Sequence, residues 1–230
     1  MTHARERRAI VAAARQLERS GLTHGTSGNV STRIRGGFLI TPTGIAPDAL
    51  TAANVVRCGD DGTPGPRQRV PSSEWRIHQD VYAARPDAGA VVHTHSPYAT
   101  AIACLRQPLP AVHYMIAAAG GGDVRCAEYA TFGTPELSRN VLGALEARQG
   151  CLLANHGVVA LGADLDRAMR VALEIERVAQ VYWLTLAAGT PCLLAHDEMA
   201  RVVDRFRVYG QPAGATPRPA RRGTQRGSRP

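Results

Sequence analysis

Apolar and polar positions along this chain switch repeatedly between helical and strand spacing. Over residues 4–20, Ile10, Ala13, Ala14 and Leu17 recur with helical period, and Gly21 follows where a left-handed residue ends a helix at little cost. Residues 30–33 and 38–41 flank Arg35-Gly36-Gly37, which predicts a hairpin, and Pro42-Thr43-Gly44 stops its second strand. Ser72-Ser73-Glu74 predicts the opening of a helix to about residue 85, because hydroxyls and an acid in the first turn satisfy free amides and complement the helix dipole. Residues 88–94 read as a buried strand and 97–105 as a helix. Thr134-Pro135-Glu136 supplies a cap, a proline and an acid for a helix to about residue 148. Short strands are predicted over 151–154 and 158–161, separated by Asn155-His156-Gly157, where Gly157 lets the backbone turn sharply. The longest helix spans 164–188, with Ala168, Val171, Leu173, Ile175, Val178 and Val181 mostly inward, and a last one spans 198–207. Strands separated by helices predict a layered α/β domain, and the hairpin makes its sheet other than purely parallel.

The length, 230 residues, fits one domain. After residue 209 the composition shifts to arginine, proline and glycine, which predicts a disordered tail over 210–230. The net charge is +8, but five arginines and no acid lie in that tail, leaving +3 for residues 1–209. The body is only mildly basic, and the tail has no aromatic residue on which a base could stack, so no nucleic-acid partner is expected. No apolar run approaches the roughly 18 residues of a membrane helix, and the charged residues around the first apolar patch suit an amphipathic helix rather than a secretory signal. All 27 basic residues are arginine. The absence of lysine excludes Schiff-base aldolase and pyridoxal phosphate chemistry, and a Walker A phosphate loop. Cys58, Cys104, Cys126, Cys151 and Cys192 form no C-x-x-C pair and read as small core residues in a reducing cytoplasm.

Candidate chemistry concentrates at strand ends. His93 and His95 stand two apart at the end of an apolar run, so both imidazoles project to one face; the pattern suits a divalent metal such as Zn²⁺, or two histidines at a wet strand end. His156 ends another apolar strand, as a third ligand or as a capping or core histidine. Glu74 would complete a set of three imidazoles and a carboxylate. His78, one turn after Glu74, is either a substitute ligand, an outer partner or a surface group. Three polar segments could cradle a phosphate without lysine: the loop 25–29 with Gly28 and Asn29, the turn with Thr43 and Gly44, and the hydroxyls of Ser72 and Ser73. Beside a metal set, they suggest a small phosphorylated substrate.

The blocks GTSGNVS, ITPTGI, PSSEWRIH, AVVHTH, HYMIAAAGG, YATFGT and NHG occur in this order, and together they resemble the class II aldolase/adducin family from about residue 4 to 209. The resemblance implies a single-domain α/β/α fold over 1–209 with a mixed, largely antiparallel sheet. It implies Zn²⁺ on Glu74, His93, His95 and His156, phosphate contacts from Gly28, Asn29, Thr43, Gly44, Ser72 and Ser73, and Glu74 as a proton-transferring group. Tyr114 corresponds to a tyrosine that reaches into a neighbouring subunit's site, in homotetramers with interfacial sites. Phe132 would lie near the aldehyde pocket, and Tyr209 near a mobile end that covers the site. The implied activity is reversible cleavage of a deoxyketose 1-phosphate, such as L-fuculose 1-phosphate or a 5-deoxyribulose-type 1-phosphate, to dihydroxyacetone phosphate and an aldehyde such as lactaldehyde. Related alternatives are a sugar-phosphate 4-epimerase, which carries aspartate where Glu74 stands, a methylthioribulose-1-phosphate dehydratase, which shares the three histidines, and a non-catalytic adducin-like scaffold, which lacks the complete ligand set.

Overall fold

In the computed structural model, which describes residues 2–206, seven strands join in one sheet. They are β1 (Asn29–Ile34), β2 (Gly37–Ile40), β3 (Val56–Cys58), β4 (Ala90–Thr94), β5 (Cys126–Ala127), β6 (Gly150–Leu153) and β7 (Gly157–Gly162), in spatial order β3-β2-β1-β4-β7-β6-β5. Only the β5–β6 pair is parallel, so the sheet is mixed and largely antiparallel, as the family resemblance implies.

The strands alternate their side chains between two helical layers, which is the consequence of a two-residue period. Val30, Val92, Val158 and Ala160 pack into one core with Ile10 and Leu17 of α1 (Ala4–Arg19), Ile102 of α3 (Pro97–Cys104), Ile175 and Val178 of α5 (Leu165–Ala188) and Met199 of α6 (His196–Phe206). Phe38, Ile40, Val91, Val159 and Leu161 pack into the other, with Ile77 and Val81 of α2 (Trp75–Ala84) and Leu137 and Val141 of α4 (Pro135–Ala144). Each such fully buried aliphatic side chain contributes on the order of 1.5–3 kcal/mol relative to exposure. No helix of the described residues is long and apolar enough to cross a membrane.

The Thr134 cap falls where the pattern places it, and Asp164 adds a cap at the start of the longest helix. Thr134 accepts from the Leu137 amide and Asp164 from the Arg167 amide. Other details differ. Helix α2 begins at Trp75, so Ser72 and Ser73 lie ahead of it and Glu74 is its N-cap; Ser72 Oγ accepts from the Glu74 amide at 3.3 Å instead of capping the helix interior. Helix α4 stops at Ala144, well before residue 148, and Ala147 takes a left-handed conformation (φ 53°). Helix α6 starts at His196, two residues early. Strands β3 and β5 are too short, at three and two residues, to carry a readable period. On α5, Leu173 is only half-buried and Val181 is exposed, because that face passes the edge of the core. Cys58 and Cys151 are core residues as expected, but Cys104 and Cys192 are exposed; all five are free thiols. Tyr209 and the 210–230 tail lie outside the described residues.

Candidate metal centre

Three backbone features bring four ligand candidates together. In the β1–β4 register Asn29 stands opposite His93, whose ring points to the α2 side and is wholly buried. His95 follows two residues on, beyond the strand end. The turn there is fixed by Glu176 of α5, whose carboxylate accepts from the Tyr98 and Ala99 amides at 3.0 and 2.9 Å and so caps α3. His156 sits in the β6–β7 turn, where Asn155, not Gly157, takes the left-handed conformation (φ 53°). Gly157 serves space: a Cβ there would lie 2.2 Å from the Thr94 carbonyl oxygen. Glu74 is delivered by the N-cap of α2.

The resulting cluster holds one ligand atom from each of Glu74, His93, His95 and His156, all within 4.8 Å of one another. Glu74 Oε2 lies 3.1 Å from His93 Nε2, Glu74 Oε1 lies 3.2 Å from His156 Nε2, and His93 Nε2 lies 3.0 Å from His95 Nε2. His93 Nδ1 donates to the Val158 carbonyl at 2.9 Å, so Nε2 is the nitrogen that faces the cluster. Burial opposes the charge on Glu74, but His93 and His156 outweigh it and hold the carboxyl far below its usual range. Burial also opposes a proton on His93, yet Glu74 and the Val158 carbonyl raise its pKa, whereas burial and the neighbouring imidazoles push His95 down to about 4.

These atoms fit a cation better than they fit one another. Glu74 Oε1 is buried and, although His156 approaches it, makes no hydrogen bond. Two imidazole nitrogens face each other at 3.0 Å, and a single proton on His93 can serve only one of its two contacts. A divalent ion would satisfy all four donors at once, and three imidazoles with one carboxylate suit a borderline cation.

Beside the cluster opens a cavity of about 350 Å³. Thr26, Ser27, Gly28, Asn29, Thr43, Ser72 and Ser73 line one side, Tyr129 and Phe132 another, and Glu74, His95, Asn155 and His156 reach it from the cluster. Among the described residues no arginine lines it. Of the predicted phosphate residues only Gly44 is not on the wall; it makes the turn beside Thr43 (φ 68°). Asn29 does more than the loop motif indicates: its amide donates to Glu74 Oε2 at 3.0 Å and its Oδ1 meets His78 Nε2 at 2.5 Å. His78 is therefore neither a ligand nor a surface group, and is fully buried behind Asn29. Tyr129 and Asn155 complete the wall; both lie inside motif blocks (YATFGT, NHG), but neither block indicates which of its residues face the cavity.

Tyr114 is not in this cavity. It opens a 3₁₀ turn (Tyr114–Ala119), is 51 % exposed, and faces a separate depression with Glu198, Arg201 and Phe206. The His113 ring lies tilted against it, 4.8 Å between centroids, and caps the turn through Nδ1, which accepts from the Met115 amide.

Known proteins share this arrangement of chain. The model of the Class II Aldolase and Adducin N-terminal domain matches residues 8–183. A 5-methylthioribulose-1-phosphate/5-deoxyribulose-1-phosphate aldolase from Rhodospirillum rubrum is 49 % identical over 215 residues, covering 93 % of this chain and 96 % of that protein. An L-fuculose phosphate aldolase from Escherichia coli (strain K12) is 46 % identical over 204 residues, covering 88 % and 94 %. A solved L-fuculose 1-phosphate aldolase superimposes with a TM-score of 0.87 at 40 % identity, covering 90 % of this chain and 98 % of that one. With the sheet order, the histidine cluster and these matches in agreement, the chain belongs to the class II aldolase and adducin family.

Proposed function

We propose that this protein is a zinc-dependent aldolase that reversibly cleaves a deoxyketose 1-phosphate, L-fuculose 1-phosphate or a 5-deoxyribulose-type 1-phosphate, to dihydroxyacetone phosphate and an aldehyde. The observation that carries the reading is the convergence of Glu74, His93, His95 and His156 at the edge of a hydroxyl-lined cavity. Glu74, His93, His95 and His156 would hold the ion. Bound there, it supplies Lewis-acid stabilisation of the negative charge that develops on the substrate when the C3–C4 bond breaks. A chain without lysine has no imine route for that charge.

The chain's own groups divide the remaining work. Ser72, Ser73 and Thr43 offer hydroxyls, and Gly28 and Asn29 offer amides, to hold the phosphate by hydrogen bonds rather than by a cationic side chain, with Gly44 making the turn that presents Thr43. Glu74, kept ionised and aimed at the cavity, moves the proton at substrate C3. Phe132 and Tyr129 give part of the wall an apolar character suited to the methyl end of a deoxy sugar. Tyr114 handles the proton on the C4 oxygen from a neighbouring subunit. In support, its own chain holds it outside the cavity and half-exposed, where an adjacent copy in a homotetramer could receive it. Five free thiols fit a reducing cytoplasmic setting.

The test is a coupled assay for dihydroxyacetone phosphate with zinc-loaded enzyme on both substrates in parallel, with and without chelator. Chelator-sensitive product is expected, and the ratio of rates identifies the aldehyde half. With zinc bound, an absence of product from both would overturn the reading in favour of epimerase or dehydratase chemistry.

A further inference from the structure

Behind Glu74 runs a chain of buried polar groups that the metal cluster does not use. Glu74 at the N-cap of α2 and His78 and Tyr82 within it are spaced four residues apart, and Asn29 and Ser31 are two apart along β1. Four helical residues rise about 6 Å and two strand residues about 6.6 Å, so the two rows stay in step. Asn29 Nδ2 donates to Glu74 Oε2 at 3.0 Å; Asn29 Oδ1 and His78 Nε2 are 2.5 Å apart; His78 Nδ1 and Ser31 Oγ are 2.6 Å apart; Ser31 Oγ and Tyr82 Oη are 2.6 Å apart. All five residues are buried, Ser31 and His78 completely. Arg33 anchors the far end: its guanidinium lies over the Tyr82 ring at 4.7 Å and donates to the Tyr82 and Arg85 carbonyls at 2.8 Å.

The hydrogens of this chain have one consistent arrangement. An ionised carboxylate only accepts, so the amide end of Asn29 must face Glu74. The Asn29 oxygen then accepts, and His78 Nε2 must carry hydrogen. A ring with no exposed surface stays neutral, which leaves Nδ1 as an acceptor for the Ser31 hydroxyl. Ser31, having given its one hydrogen, accepts from Tyr82. Every donor thus points towards Glu74. On the carboxylate itself Oε2 accepts from Asn29 and lies 3.1 Å from His93 Nε2, while Oε1 makes no hydrogen bond, its nearest polar neighbour being the ligand nitrogen of His156 at 3.2 Å.

We propose that Tyr82, Ser31 and His78 are positioning residues that lock the Asn29 amide towards Glu74, hold Oε2, and so leave Oε1 as the oxygen that exchanges the substrate proton. The last clause rests on the aldolase reading, whereas the direction of the hydrogen bonds does not.

The first test is the ¹⁵N-histidine NMR spectrum of the zinc-loaded wild type. His78 is expected to be neutral, with hydrogen on Nε2 and none on Nδ1; an Nδ1–H tautomer or a doubly protonated ring at pH 7.5 would overturn the proposal whatever reaction the enzyme performs. The second compares His78→Phe, which keeps a ring without donors, with His78→Gln, which keeps an amide for Asn29. His78→Phe should lower kcat about 10–100-fold, the usual loss of an outer partner, with KM changed less than about threefold and about one zinc retained. His78→Gln should recover at least about fivefold of that kcat at a similar Tm, a rescue that a purely structural role does not give. An unchanged kcat in His78→Phe, or no rescue by His78→Gln with zinc retained in both, would also overturn it. If His78→Phe does not fold, Tyr82→Phe replaces it, with the same kcat-against-KM criterion and a smaller loss. Failure of the aldolase reading itself would show as no dihydroxyacetone phosphate from the wild type, with the tautomer result unaffected.

Discussion

Gly28 and His93 meet backbone to backbone: a Cβ on Gly28 would lie 2.8 Å from the His93 carbonyl oxygen and 2.4 Å from the Thr23 methyl. Gly28 also has φ 75°, a conformation that costs an L-residue about 1–2 kcal/mol. The residue is therefore required twice, once for its dihedral and once because the loop 25–29 and the end of β4 touch there. Gly25, in the same loop, has φ 62° but open space around its missing Cβ. Gly28→Ala is expected to lower stability in denaturant unfolding by clearly more than Gly25→Ala, and to reduce zinc content as well. Equal losses in the two variants would mean the contact with His93 carries no weight.

Removing a ligand should separate metal from fold. His93→Ala takes away a buried nitrogen aligned by the Val158 carbonyl. The loss in zinc affinity should exceed the roughly 10–100-fold typical of outer partners, with activity lost in proportion. One equivalent of zinc retained after dialysis, read by atomic absorption, would contradict the ligand assignment.

Tyr114→Phe should leave zinc binding and Tm near wild type and lower kcat about 10²–10⁴-fold, the range for a general acid–base group. Its placement outside its own cavity gives a sharper test. Mixed oligomers refolded from Tyr114→Phe and Glu74→Gln chains should regain about a quarter of wild-type activity, because a head-to-tail ring then contains some sites with both groups intact. No recovery from verified hybrids would place the two groups in the same chain or remove Tyr114 from the reaction.

His78 sets a pH dependence of stability. Burial, with His93 adding to it, pushes its pKa down to about 3, against 6.5 unperturbed. The unfolded chain therefore takes up a proton at this residue near pH 6.5 while the folded chain does not. Its contribution is fully present above pH 6.5 and is lost as pH falls from there towards 3, at up to about 1.4 kcal/mol per pH unit. Between pH 7.5 and 5.5, unfolding free energies of His78→Phe should fall less steeply than those of the wild type. Parallel slopes would show that His78 is protonated in the folded protein.

Much of the layered fold is legible in the residue pattern, because amphipathic period depends only on neighbours along the chain. Ile10, Ala13, Ala14 and Leu17 on α1 and the cap at Thr134 can be read without any partner. The candidate ligand histidines are legible for a similar reason: the two-residue spacing of His93 and His95 suggests a shared face, although His95 lies just past the end of β4, and His156 and Glu74 fall in family motifs. What the pattern could not supply are two- and three-residue strands such as β5 and β3, which exist because a longer neighbour pairs with them. Nor could it show that the exposed Val181 lies beyond the edge of the core while Val178, three residues before it, is inside.

The site shows the same division. Residue identity and spacing along the chain determined which groups have metal-binding chemistry, and the absence of lysine determined which aldolase chemistry is closed to it. The tertiary structure decided what each group faces. Asn29 and His78, 49 positions apart, belong to different elements, and only the packing of α2 against β1 turns a loop asparagine and a helix histidine into one directed chain to Glu74. The packing of the 3₁₀ turn against α5 and α6 likewise decided that Tyr114 stands apart from its own cavity, since hydrogen-bond direction and side-chain reach depend on distances in space that no spacing along the sequence specifies.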